Sequence, residues 1–121
     1  MSDLPEEVQK LESDDRALVV VDSQGFIVLM TKSAEELCGV GIDDIRGEAI
    51  ELLVPEKMRF GHQAYRRGFM SEEKPREMDP GLEPELERPD GTRVPIDVWL
   101  EPLRADGKLY VVADVKERAA K

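Results

Sequence analysis

The 121 residues carry 27 acidic and 17 basic side chains and a net charge of -10, with one histidine, His62, and one cysteine, Cys38. A chain of this length supports a single domain with one modest core. Its acidity argues against binding nucleic acid or an anionic membrane surface, which are both polyanions. The lone cysteine excludes an internal disulfide, and no run of about 18 apolar residues is present to cross a bilayer.

Residues 1–15 read as an N-terminal amphipathic helix, with Ser2 or Asp3 as cap, Pro5 early, and Leu4, Val8 and Leu11 at helical spacing. The start of the chain lacks the basic residues and apolar run of a signal peptide, so a cytoplasmic protein is expected. Arg16–Val21 and Phe26–Thr31 are β-rich runs joined by the hairpin turn Asp22–Gly25. From about residue 32 the pattern changes to short helices stopped by glycine or proline. Ser33–Leu37 stops at Gly39 and Gly41, Asp43–Arg46 at Gly47, and Glu48–Leu53 before Pro55, which opens a longer helix running to about Phe69.

A polar loop is expected from about 71 to 82, followed by a strand from Leu82 to Arg88 and a turn at Pro89–Thr92. In Arg93–Leu100, strict alternation places Val94, Ile96, Val98 and Leu100 on one face, and Asp97 and Trp99 on the other together with Glu101. Ala105–Gly107 turns the chain into a last strand, Lys108–Val115, and Lys116–Lys121 is a polar exit. Two strands, several short helices and three strands describe an α+β domain. Its five-stranded antiparallel sheet has short helices packed on one face, and the N-terminal amphipathic helix stands apart from them.

The long helix carries the candidate site. At about 100° per residue, Met58, His62, Tyr65 and Phe69 fall within a wedge of roughly 60°, with Arg59, Arg66 and Arg67 beside or behind it. A lone imidazole on an apolar wedge is either a satisfied polar residue at the core edge or a ligand for something held in that core. Catalysis is not expected. With one histidine and one cysteine, the common nucleophile triads and metal spacings cannot be assembled, and there is no glycine-rich phosphate loop.

The element order, together with Ile27–Gly39, Leu53–Glu56, Arg88–Ile96 and Val115–Glu117, resembles a PAS domain over residues 16–117, leaving 118–121 as an exit. Among such domains the chain is most similar to the bacterial redox and gas-sensing group, including the haem PAS domains of rhizobial oxygen-sensing kinases. The resemblance implies a sheet cupped around short helices, a pocket between sheet and longest helix, and a sensory role exercised by ligand binding or pairing. In those oxygen sensors a histidine on the corresponding helix holds the haem iron, and His62, with Tyr65 three residues on, stands at the matching place. Where they direct an arginine at bound oxygen, this chain has about Leu82. The resemblance and the apolar faces together nominate Val54, Met58, His62, Tyr65, Phe69, Leu82, Val94, Ile96, Val98 and Leu100 as ligand-binding residues. The ligand itself stays open: haem on His62, a non-covalent flavin, a fatty acid, a small carboxylic acid, or an empty core. Cys38 lacks the surroundings of a flavin-linked cysteine and reads as a small packing residue.

A helix as short as the first must dock somewhere. Leu4, Val8 and Leu11, with Trp99 and Tyr110 on the sheet face away from the pocket, are the surface of a homodimer that the resemblance to PAS domains implies. The alternative is that the helix caps its own sheet. A regulated effector or partner protein, of kinase or cyclase type, is the further expectation that the resemblance implies.

Overall fold

The computed structural model describes residues 4–72, 74–77 and 84–118. In chain order these are α1 (Glu6–Gln9, continued by a 3-10 turn, Lys10–Ser13), β1 (Leu18–Asp22), β2 (Ile27–Met30), α2 (Lys32–Cys38) and α3 (Ile42–Ile45). Two 3-10 turns (Ile50–Leu53 and Glu56–Met58) lead into α4 (Arg59–Glu72), and β3 (Arg76–Glu77), β4 (Glu85–Glu87), β5 (Arg93–Ala105) and β6 (Lys108–Glu117) complete the chain. The antiparallel sheet has the order β2-β1-β6-β5-β3, with β4 pairing on β5 as well.

The five expected strands are present, and a sixth adds to them. The two-residue β3 lies in the stretch read as loop and pairs with Trp99 and Leu100. Arg76 and Glu77 carry no apolar alternation to announce it. Glu48–Leu53 is not one helix: Ala49 bridges Phe26, Ile27 donates to the Glu48 carbonyl, and helical turn begins at Ile50. The α-helix beyond Pro55 starts at Arg59, after a 3-10 turn. Ser2 and Asp3, read as helix caps, lie outside the described residues, and α1 begins after Pro5.

Local chemistry fixes the joints. Asp22 Oδ1 accepts from the amides of Gln24 and Phe26, and Gly25 takes a φ of +88°, which closes the hairpin. Thr31 is fully buried; its hydroxyl accepts from the Ala34 amide at 3.3 Å as cap of α2, accepts from the Leu18 amide, and donates to the Arg16 carbonyl. One hydroxyl thereby joins the start of α2 to β1.

Both faces of the sheet are covered. On the inner face Val19, Val21, Ile96, Val98, Leu100 and Val115 pack toward α2, α3 and α4 in the larger core cluster. On the outer face Leu18, Val20, Leu29, Tyr110 and Val112 form a second cluster around Val8 of α1, with Leu4 and Leu11 half-buried against it. Val8 is 0% exposed within this single chain, so α1 caps its own sheet. Tyr110 lies on the outer face as expected and is buried beneath α1, whereas Trp99 is 44% exposed.

Candidate ligand cavity and its histidine

Between the inner sheet face and α4 lies a cavity of about 680 Å³. Of the residues nominated from sequence, Val54, Met58, His62, Phe69, Ile96, Val98 and Leu100 line it. Val94 shares their strand face but packs into the core at the β4 end of β5 and is not part of the cavity wall. Leu82 and the side chain of Tyr65 lie outside the described residues. Further walls come from elements that the reading did not nominate: Val19 and Val21 of β1, Val111 and Val115 of β6, Cys38 of α2, and Leu86 of β4. Among the described residues the wall is almost wholly apolar, with His62, Arg66 and Glu85 as its basic and acidic members.

His62 is not free to rotate. Its Nδ1 donates to Glu51 Oε2 at 2.7 Å, and the same oxygen accepts from Arg66 Nε at 3.2 Å. Glu51 is 5% exposed, and its other oxygen, Oε1, is buried without a partner among the described residues. Arg66 reaches on to the Gln24 carbonyl at 2.9 Å, tying α4 to the β1–β2 turn. An ionised carboxylate can only accept, so Nδ1 is the donor of this pair. Nε2 has no protein partner among the described residues. A carboxylate behind one ring nitrogen, leaving the other available at an apolar cavity, is the arrangement that orients an imidazole toward a metal or a hydrogen-bond donor.

The histidine was legible as a lone polar residue on an apolar wedge; Glu51 was not. Cys38 is 2% exposed at the cavity wall, and burial pushes its thiol up to about 11, against a weaker opposing pull from Arg88. It behaves as the packing residue expected. Among the described residues no group of three or more His, Cys, Asp or Glu side chains could hold a metal ion, and no helix is long and apolar enough to cross a membrane.

Comparison with known proteins agrees with this architecture. The model of the PAS fold matches residues 9–114. Oxygen sensor protein DosP of Escherichia coli is 27% identical over 107 residues, covering 88% of this chain and 13% of its own. Sensor protein FixL of Bradyrhizobium diazoefficiens is 27% identical over 101 residues, covering 84% of this chain and 20% of its own. The chain thus spans a fifth or less of these two relatives. Among solved structures, the PAS domain of an HTR-like protein from Haloarcula marismortui superposes with a TM-score of 0.74 at 20% identity, over 93% of this chain and 89% of that one. A LOV protein of Rhodobacter sphaeroides gives 0.77 at 17% identity, over 94% and 67%. Those two likenesses show the fold alone, whereas the family model accounts for most of the sequence: this chain belongs to the PAS family.

Proposed function

We propose that this PAS domain is a sensory module that takes a small, largely apolar ligand or cofactor into the cavity between sheet and α4, with His62 as its polar anchor. It acts on an effector by binding, without catalysis of its own. The observation that carries this reading is the cavity. Close-packed interiors leave few voids larger than a water molecule, yet about 680 Å³ stays open beside α4, within the range of ligand sites. The relationship to two proteins named as sensors supports the sensory role. Trp99, exposed on the outer face, supports pairing with a second copy there.

A second reading, a haem-holding gas or redox sensor, is favoured by the Glu51–His62 pair. The residues present fit the group: His62 would hold the iron through Nε2, Glu51 would hold the ring, and Val19, Val98, Leu100 and Phe69 would supply apolar walls. When bound, a haem iron supplies the gas-binding or one-electron chemistry; the chain's own part is to orient the imidazole and exclude water. DosP, similar over most of this chain, is named an oxygen sensor.

One experiment separates the readings. Protein purified without added cofactor is scanned for absorption, titrated with hemin, and its denatured extract analysed by mass spectrometry. A stoichiometric Soret band lost in His62→Ala supports haem. A colourless molecule co-purifying with the protein supports the broader reading. An empty extract together with no hemin complex would overturn both.

A further inference from the structure

Eight glycines lie among the described residues, and the surroundings of most explain them. Gly25, Gly39, Gly47, Gly91 and Gly107 have positive φ, and a Cβ on Gly25 would lie 2.5 Å from Arg66 Cζ. Gly41 caps α3 in an extended conformation. Two remain, Gly61 and Gly68, both within α4. Neither has positive φ, and a Cβ on either would meet nothing within 4 Å among the described residues. Alanine fits both places and favours a helix more than glycine does, so backbone geometry and packing leave these two glycines unexplained. Both are exposed, but Gly61, next to His62, also lines the cavity, and Gly68 is not among its lining residues.

We infer that Gly61 is the point at which the cavity's ligand comes closest to α4, and that its missing side chain sets the size of ligand admitted beside His62. This rests on the ligand-binding reading above. The space that a Cβ would fill is open in the chain itself, so the body of a bulky apolar ligand can lie directly against the helix backbone while a polar atom meets His62 Nε2. The ligand class is therefore one with a broad apolar body and a metal centre or hydrogen-bond donor that can reach His62.

The test uses Gly61→Ala, Gly61→Leu and Gly68→Ala in the full chain. Thermal melts are paired with titrations of two probes, hemin and 8-anilinonaphthalene-1-sulfonate. Both alanine variants should melt about 4 °C higher than the parent, since each replaces a helical glycine. Gly61→Ala should nevertheless bind the probes about fivefold more weakly, and Gly61→Leu more weakly still, whereas Gly68→Ala binds as the parent does. Should Gly61→Leu fail to fold, Gly61→Ala carries the test. Parent-like affinity for both probes in a folded Gly61 variant overturns the inference and leaves the ligand-binding reading standing. A parent chain that binds neither probe overturns the two together.

Discussion

Glu51 is buried while its neighbour Leu52 is 44% exposed, the reverse of what hydropathy dictates. The 3-10 turn explains the inversion. At three residues per turn, Ile50 and Leu53 share the inward face, Glu51 turns in beside them to meet His62 and Arg66, and Leu52 is left outside. A helical reading of the same string could not find this, which is why the histidine was visible in the sequence and its carboxylate partner was not. The buried charge is tolerated because Arg66 and His62 meet it. Cys38 permits a test of burial on the same scale. Its thiol is pushed from about 9 to about 11 by burial. Below pH 9 folded and unfolded chains both hold the proton, and stability has no slope from this group. Between about pH 9 and 11 the unfolded chain releases a proton that the folded one keeps, so stability falls as pH rises, by an amount on the order of 2–3 kcal/mol. Tyr110, also raised first by burial and then by Asp22 and Asp106, contributes equally to a Cys38→Ala variant and cancels. Urea unfolding of both proteins at about pH 8 and 10.5 should show the larger loss in the parent; parallel losses would refute the buried-thiol account.

Elements with strong periodicity were the easiest to read. The alternation in Arg93–Leu100 survives in the burial pattern of β5, and the glycine stops mark the ends of α2 and α3. β3 escaped because two polar residues have no period; what makes it a strand is the free edge of β5 that it pairs with. The role of α1 was readable only as a need to dock, and the structure resolves it: Val8 is enclosed by Leu18, Val20, Leu29 and Tyr110 of its own chain. Removing residues 1–12 should therefore cost at least about 2 kcal/mol in urea unfolding, the burial of Val8 alone, and expose a contiguous apolar face. Light scattering on the same pair of proteins tests the surface for pairing. If both the full and the truncated chain have the mass of a dimer at equal concentration, the contact lies at the Trp99 side of the sheet. A dimer that dissociates on truncation assigns it to α1, and self-association confined to the truncated protein means that α1 shields the face.

For the molecule as a whole, sheet order decided what the sequence left open. Leu18–Val21 is apolar at every position because both faces of β1 are covered, so period 2 could not tell inner from outer residues. It is the adjacency of β1, β6 and β5 that sets Val19, Val111 and Val98 together opposite α4 and makes the cavity wall continuous. Net charge, by contrast, is legible from composition and acts on the whole fold. At -10 the surface repels itself. The pairs Arg16–Asp14, Arg46–Asp43, Arg93–Glu87 and Arg118–Asp97 oppose that repulsion, but each has at least one well-exposed partner and such pairs contribute about 0–1 kcal/mol or nothing measurable. The two effects respond oppositely to salt, because screening weakens repulsion and attraction alike. With 27 acidic against 17 basic side chains, repulsion has the greater sum. Raising sodium chloride from about 10 mM to about 500 mM shortens the Debye length from roughly 30 Å to under 5 Å. The melting temperature should then rise by about 4 °C, equivalent to about 1 kcal/mol for a domain of this size. The rise should level off once the Debye length falls below the spacing of surface charges, and sodium sulfate at equal ionic strength should exceed it through the added exclusion of that anion from apolar surface. A melting temperature that falls with sodium chloride would mean that the ion pairs, and not the net charge, govern the electrostatics of this fold.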